Sequence, residues 1–249
     1  MTENQWGIVW VAAIAVALVA LGWLARTWWS NRRLDRKQRF FGLPDNAECL
    51  MVVSRDQSTA HSTEWAVSRV DTVALLELSA LVRSCGAHTE LVTDDAAQQG
   101  FGDRTEICVG GPLSHRRIAA HLRSLLPGVS YRGELGAGGE HDAFVVGEET
   151  YQLENGLNEY VLLARLTAGR EEGARPVFLA CGQRPITHQA AARYLSRHHV
   201  RLARKYGAHG TFVLMLKVVN SQAYGADLVE LVGDVTKAAC TPLAALERR

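Results

Sequence analysis

The first apolar run of the chain, residues 6–25, contains twenty residues without a charge or a proline. A helix of that length rises roughly 30 Å, which matches the hydrocarbon core of a bilayer. Tryptophans lie toward both ends of the run, as in the aromatic belts of membrane-spanning helices: Trp6, Trp10, Trp23, Trp28 and Trp29. The pattern predicts one transmembrane helix.

The polar flanks of this run predict its orientation. Residues 2–5 carry a single charge, Glu3, whereas residues 26–41 carry six bases and one acid, Asp35. Because an excess of lysine and arginine marks the cytoplasmic side, we expect a single-pass protein with its N-terminus outside and the rest of the chain inside. The missing basic region before the apolar run argues against a cleaved signal peptide. The bases after it would lie close to an anionic lipid surface.

These features divide the chain into four parts. We expect a transmembrane anchor over 1–29, a basic juxtamembrane linker over 30–47, a folded domain over 48–236 and a C-terminal tail over 237–249. The whole chain has 27 bases and 26 acids. Without Glu3 and the seven charged residues of 26–41, the rest of the chain, residues 42–249, has 21 bases and 24 acids. This mildly acidic remainder argues against nucleic acid as a partner. Five scattered cysteines predict free thiols in a reducing compartment and no metal site.

The folded domain alternates short apolar runs with amphipathic stretches. Four apolar runs predict buried strands: 49–54, 89–93, 106–110 and 177–181. Alternation of strands with helices implies a parallel sheet with crossover helices. Further strand candidates, the last two forming a closing hairpin, are 129–132, 143–146, 160–166, 211–219 and 227–232. We therefore expect an α/β fold: a Rossmann-like, mostly parallel sheet with an antiparallel extension, preceded by one transmembrane helix.

Two stretches of the domain resemble each other, 106–115 and 177–188. Each is an apolar strand followed by glycine, proline and then Ser or Thr before a helix. Ser114 and Thr187 stand where a helix N-cap is expected. Since ligands of parallel sheets bind beyond the carboxyl ends of the strands, near helix N-termini, these turns are the expected place of a ligand site.

The candidate site consists of three loops that follow predicted strands. Glycine lets a backbone approach a ligand, free N–H groups at a helix start favour an anion such as phosphate, and arginine pairs with it. The residues expected there are Ser54, Arg55, Asp56, Gly110, Gly111, Ser114, His115, Arg116, Gly182, Gln183, Arg184 and Thr187. The alternative is that glycine and proline only form tight turns between strand and helix.

Sequence motifs of catalysis do not support an enzyme. The chain contains no Gly-x-Ser-x-Gly elbow, no Walker lysine motif and no His-Glu-x-x-His. We therefore predict no catalytic residue, no cofactor and no metal, and an enzymatic role stays open only as an alternative.

The second half of the domain, about 105–235, resembles a group of bacterial Rossmann-like, sensor-type domains. The resemblance rests on the turn over 107–112, the strand over 160–166 and the run over 177–181 that precedes glycine and an alanine-rich helix. Ser114-His115 and Ile186-Thr187 depart from that group's pattern. The resemblance implies a ligand-binding domain at the inner membrane of a bacterial cell.

The leading functional hypothesis is a membrane-anchored cytoplasmic sensor of a nucleotide or other phosphate-bearing small molecule, which passes the signal to the membrane or a partner. Two alternatives stay open: an antiphage-type effector that disrupts the inner membrane after sensing a cyclic nucleotide, which is similar only in layout, and a membrane-tethered nucleotide-processing enzyme. Expected partners are the lipid bilayer, a nucleotide and a second copy of the chain. The homo-oligomer rests on small residues that allow close helix packing: Ala12, Ala13, Ala15, Ala17 and Ala20.

Overall fold

The described part of the chain forms six helices and ten strands. The computed structural model describes residues 3–54, 69–96, 102–133, 142–167 and 173–242, without the side chains of 3–13, 15 and 70. The helices are α1 Glu3–Phe41, α2 Arg69–Arg83, α3 Arg116–Leu125, α4 Pro185–Tyr206, α5 Ser221–Tyr224 and α6 Thr236–Cys240. The strands are β1 Glu48–Val53, β2 His88–Thr93, β3 Thr105–Gly110, β4 Val129–Arg132, β5 Ala143–Val146, β6 Glu149–Gln152, β7 Asn158–Thr167, β8 Pro176–Gly182, β9 Phe212–Val219 and β10 Val229–Asp234.

A seven-stranded sheet with the order β10-β9-β7-β8-β3-β1-β2 forms the centre of the domain. Strands β2, β1, β3 and β8 are parallel neighbours, and β7, β9 and β10 extend the sheet in antiparallel pairs. The expected α/β class and the antiparallel extension are confirmed. The strands predicted over 129–132 and 143–146, which the sequence assigned to an antiparallel extension or insert, lie in a separate three-stranded antiparallel sheet, β4-β5-β6, whose strand β6 was missed.

Successive side chains of a strand point to opposite faces of the sheet, so the buried residues form one core on each face. On one face, Met51, Ile107 and Phe178 pack with α2, α4 and the end of α1. On the other face, Cys108 and Leu179 pack with α3, the small sheet and α6. The thiols of Cys49, Cys108 and Cys181 are buried and free, as predicted.

Helix α1 continues for 39 residues and reaches into the core. Residues 30–41 of the predicted basic linker form the end of this helix, because the chain contains no glycine or proline between Gly22 and Gly42. Phe40 and Phe41 are fully buried, with ring centroids 6.3 Å from Phe212 and 5.4 Å from Phe178, respectively. The domain therefore holds the end of α1 as part of its own core.

The transmembrane helix expected over 6–25 is not found in the structure. Among the side chains that are described, which begin with Ile14, no helix contains a stretch both long enough and apolar enough to cross a bilayer.

Arg165 of β7 fixes the end of α1 inside the domain. Its side chain is buried and donates from Nε to the carbonyl of Phe40 at 3.1 Å, from Nη1 to Gly210 at 2.9 Å and from Nη2 to Ala208 at 2.8 Å. Burial lowers the pKa of Arg165 to about 10, so the guanidinium stays charged at neutral pH. A cation at the carboxyl end of a helix is favourable because the helix dipole is negative there. One residue thus ties α1 to the loop between α4 and β9.

Replacing Arg165 with methionine is expected to lower the free energy of unfolding by about 2–4 kcal/mol. Methionine fills a comparable apolar volume but leaves three carbonyls without their donor. The measurement is denaturant unfolding of the full chain in detergent. Arg197→Met on the exposed face of α4 is the control and is expected to change stability by less than about 0.5 kcal/mol. Equal stability of the two variants would contradict the role of Arg165.

Candidate functional site

The carboxyl ends of β1, β3 and β8 meet at one edge of the sheet, as predicted. Ser54 follows β1, Gly110 ends β3 and Gly182 ends β8, and the parallel pairing places the three strand ends side by side. We call this the carboxyl edge. Residues Arg55 and Asp56 lie outside the described residues.

The glycines of the carboxyl edge make room for the chain's own side chains. A Cβ at Gly110 would lie 2.8 Å from both Ser54 Oγ and His115 Cδ2. A Cβ at Gly182 would overlap Thr187 Oγ1 and lie 2.8 Å from His188 Cδ2. At Gly110 and Gly182, the space beside the glycine backbone that was expected to admit a ligand is therefore occupied by side chains of the domain itself. At Gly111 a Cβ would lie 2.9 Å from Ser114 Oγ.

His115 is the N-cap of α3, so the prediction of Ser114 as the cap is wrong. Nδ1 of His115 accepts from the backbone N–H of Ile118 at 3.2 Å, and Nε2 lies 3.2 Å from the carbonyl of Val52. These two partners assign the proton to Nε2 of a neutral ring. Burial lowers the pKa of His115 below its usual range, so the ring stays uncharged at pH 7. Because both ring nitrogens are occupied, His115 serves as a structural cap.

The start of α3 already holds an acid. The backbone N–H of Arg116 donates to Asp94 Oδ2 at 2.7 Å. Together with His115, Asp94 satisfies two of the free donors that would otherwise attract an anion. This finding argues against phosphate at α3, although Arg116 was predicted to bind it.

Gln183 joins the two sheets. Its Oε1 accepts from the Tyr160 N–H at 2.8 Å, and its Nε2 donates to the carbonyls of Asp142 at 3.3 Å and Tyr151 at 3.0 Å. The amide is fully used in these contacts, so the predicted ligand role of Gln183 is replaced by a structural one.

The start of α4 has no capping side chain among the described residues, and the helix begins at Pro185 with Arg184 at the N-cap position. Thr187, predicted as the cap, lies inside the helix and donates from Oγ1 to the carbonyl of Arg184 at 2.7 Å, so that prediction is wrong. Proline has no N–H, and the Thr187 N–H donates to the Arg184 carbonyl at 3.0 Å, so neither residue offers a backbone donor to an anion. The positive end of the helix dipole remains as the attraction for an anion there.

His188 is the last residue of the third predicted loop, 182–188, although it was not singled out there as a ligand residue. Nδ1 lies 2.6 Å from Asp71 Oδ1, a contact between α4 and α2 across 117 positions of sequence. With Nδ1 donating to the carboxylate, Nε2 accepts a hydrogen bond when the ring is neutral and donates one when it is protonated. Nε2 is buried and has no partner within the described residues.

Unpartnered buried atoms collect at the carboxyl edge. Among the described side chains, three buried polar atoms lack a hydrogen bond: Ser54 Oγ, His188 Nε2 and Glu159 Oε2. Glu159 stands at the start of β7, which runs antiparallel to β8 and so begins at this same edge. Its other oxygen accepts from Gly156 N–H at 3.0 Å. Since buried polar groups are almost always paired, each of these atoms is a point at which a polar ligand could bond. Strands β8 and β3 lie between β7 and β1, so Glu159 and Ser54 are separated by three strand spacings, roughly 14 Å.

Comparisons of the chain with known protein families, with curated proteins and with solved structures find no match. Function is therefore inferred from the geometry of the described residues.

A second polar cluster lies away from the carboxyl edge. Glu106, Cys108 and His121 are buried within reach of a single metal ion, the one such group among the described residues. However, Arg117 occupies the carboxylate, with Nε 2.5 Å from Oε1 and Nη2 2.6 Å from Oε2 of Glu106. The His121 ring and the Cys108 thiol also contact Oε1, at 3.0 and 2.9 Å. A guanidinium thus supplies the positive charge that a metal would bring.

These contacts control the pKa of Glu106. Burial alone would raise it, but hydrogen bonds from His121, Arg117 and Cys108 outweigh burial and lower the pKa from 4.5 to about 2. Burial raises the pKa of the Cys108 thiol, which therefore stays protonated. The cluster is best described as a buried ion pair that ties α3 to β3.

Glu106→Gln is expected to lower the free energy of unfolding at pH 7 by about 2–4 kcal/mol, because Arg117 keeps its charge without a counter-ion. The stabilisation by ionised Glu106 is present above its unfolded pKa of 4.5 and is lost as pH falls toward about 2, so the difference between the two proteins shrinks over that interval. Denaturant unfolding across pH measures it.

Glu90→Gln is the matched control, since Glu90 is an exposed partner of Arg104, which also pairs with Glu48. We expect it to cost less than about 1 kcal/mol. A pH-independent penalty in Glu106→Gln, or stabilisation of the wild-type chain by Zn²⁺, would contradict the ion-pair assignment.

Proposed function

We propose that this chain is a membrane-anchored sensor that binds a nucleotide or another phosphate-bearing small molecule at the carboxyl edge of its sheet. Binding changes the position of α4, and α4 passes the change to α1. The signal then reaches the bilayer or a partner.

The observation that carries this proposal is the set of buried, unpartnered atoms at the carboxyl edge. Ser54 follows β1, His188 belongs to α4 and Glu159 to β7, so a ligand that bonds to all three unpartnered atoms would bridge three parts of the fold. An unsatisfied buried polar atom costs about 1–3 kcal/mol, which a ligand would recover on binding. The hydroxyl and imidazole suit ligand hydroxyl and phosphate groups.

Phosphate is favoured by the environment of α4. Among the described residues no side chain caps its N-terminus, and Arg184 stands directly before it, half-buried. The positive end of a helix dipole and a guanidinium both attract phosphate. The anion is expected at α4, while α3 is filled by His115 and Asp94.

Helix α4 connects the ligand edge to α1. Its 22 residues rise roughly 33 Å from Pro185 to Tyr206. Eleven residues after His188, roughly 16 Å along the helix, the ring of His199 lies 5.7 Å from that of Phe41, the last residue of α1. A shift of α4 at His188 would thus be felt directly where α1 enters the core.

The anchoring part of the proposal draws on the surface of α1. Apolar side chains on all sides of this helix are 57–73% exposed: Ile14, Val16, Leu18, Val19, Leu21, Trp23 and Leu24. A helix that is apolar all round requires a hydrophobic surrounding. With the basic residues that follow, we propose a single-pass anchor in the cell membrane, with its N-terminus outside.

A nucleotide-processing enzyme is the second candidate, and one specific observation favours it. Asp71 orients His188 through Nδ1, and both His188 Nε2 and the Ser54 hydroxyl are unpartnered at the same edge. An acid, a histidine and a hydroxyl are the groups that activate a nucleophile in many hydrolases. Release of product from a bound nucleotide, abolished by Ser54→Ala, would establish this alternative.

The test of the sensor proposal is thermal unfolding of the full chain in detergent against a panel of nucleotides, linear and cyclic. A ligand at 100 times its Kd adds about 2.7 kcal/mol, which corresponds to a rise of roughly 5–10 °C in Tm for a chain of this size. We expect Arg184→Ala to remove this shift without changing the Tm of the unliganded protein.

Arg197→Ala, at an exposed position of the same helix, removes the same charge and is expected to keep the shift. If no nucleotide changes the Tm of the wild-type chain, or if both variants reduce the shift equally, the proposed ligand site is contradicted.

A further inference from the structure

A groove of about 1020 Å³ lies between the second half of α1 and the last turns of α4. It is lined on one side by residues of α1 from Trp28 to Phe40, and on the other by residues of α4 from His199 to Arg204. The groove exists because α1 is a continuous helix whose end is fixed in the core, so its exposed part is held beside α4.

The groove is strongly basic. Six of its lining residues are bases, and none of the residues that line it is an acid: Arg32, Arg33, Arg36, Lys37, Arg39 and Arg204. Within the described part of the chain, no ion pair joins any of these six to a carboxylate. Arg36 and Arg39 bond instead to carbonyls of their own helix, at 3.2 and 3.3 Å. Their charges are therefore available to an anion.

Apolar surface accompanies these charges. Trp28 and Trp29 stand at one end of the groove, Phe40 lies at the other, and Val200 of α4 faces them. The guanidinium of Arg32 covers the Trp28 ring at 3.9 Å from its centroid. A groove that combines unpaired arginines with apolar walls fits an amphipathic anion, which has both a charged head and an apolar chain.

The position of the groove along α1 suggests which amphipathic anion it meets. Trp28 and Trp29 lie three and four residues, roughly 5–6 Å, beyond the end of the apolar run at Ala25, and Arg32 lies roughly 10 Å beyond it. The polar layer of a bilayer is about 5–8 Å thick on each side. With α1 anchored, the tryptophan end of the groove therefore lies within the polar layer, and the arginines follow just beyond it.

We propose that this groove binds an anionic phospholipid of the membrane in which α1 is anchored. The lipid is drawn partly out of the polar layer: its phosphate and acidic headgroup contact the arginines of α1 and Arg204 of α4, and an acyl chain follows the tryptophans back toward the bilayer. The inference rests on the proposed anchoring of α1. It assigns a lipid as a second ligand that clamps α1 against α4, at the end of α4 opposite the carboxyl edge.

The experiment is lipid retention by the full chain in detergent, measured by native mass spectrometry. Phosphatidylglycerol and phosphatidylcholine are added at equal concentration. We expect phosphatidylglycerol to be retained about tenfold more strongly than phosphatidylcholine. The double variant Arg36→Gln, Arg204→Gln is expected to lose that preference, since each removes one base close to the headgroup.

The matched control is Arg197→Gln, Arg201→Gln, which removes the same charge from exposed positions of α4 that do not line the groove. We expect this variant to keep the preference. Equal retention of the two lipids by the wild-type chain overturns the proposal, and so does an equal loss in both variants, which indicates general surface charge. Competition by free glycerol phosphate as strong as that of the lipid overturns it as well, since the site then binds phosphate without a lipid.

Failure of this proposal and failure of the anchor give different results. Resistance of the chain to alkaline extraction from membranes tests the anchor, whereas lipid preference in detergent tests the groove without a bilayer. The nucleotide shift at the carboxyl edge is a third readout, and the groove variants are expected to leave the Kd for nucleotide unchanged in detergent without added lipid.

Discussion

The burial of the end of α1 is the constraint on which the rest of the structure depends. Phe40 and Phe41 pack in the core on the face of the sheet that α4 covers, and Arg165 holds the carbonyl of Phe40, the second-last residue of the helix, through its Nε. A guanidinium buried without a carboxylate partner among the described residues is costly, and its three carbonyl acceptors offset that cost. The same residue sets the direction in which α1 leaves the domain.

Because the end of α1 is buried, helix α4 contacts both α2 at the candidate ligand site and the end of α1. At one end, His188 contacts Asp71 and reaches the carboxyl edge, and eleven residues later His199 contacts Phe41. Because packed helices move as units, a ligand that pulls on the start of α4 would alter its contact with α1. The candidate site and the proposed lipid groove thus lie at opposite ends of one helix.

The strands could be predicted from the sequence because buried parallel strands are short, continuous apolar runs. Strand β6 could not, since only Tyr151 of its four residues is buried. The continuous α1 was missed because the charge of residues 26–41 favoured a linker, although the lack of glycine and proline indicated a helix.

The site was predicted less well than the fold, for reasons that lie in tertiary contacts. The glycines at the strand ends could be read from the sequence. The sequence did not show that Thr187 and His188 lie against Gly182, because that contact depends on how α4 packs. Ser114 is the better N-cap by preference, yet His115 takes that role because Val52 holds its second nitrogen. The pairing of Asp71 with His188 joins residues 117 positions apart, and no local pattern indicates it.

The central claim is that α1 belongs to the core of the domain, and hydrogen exchange of the full chain tests it most directly. The amide of Leu43 donates to the carbonyl of Gln38 at 2.9 Å, next to the buried Phe40 and Phe41. We predict that amides 40–43 exchange as slowly as those of β8, through global unfolding. Exchange of 40–43 many-fold faster, with β8 still protected, would show a detachable helix and contradict the account.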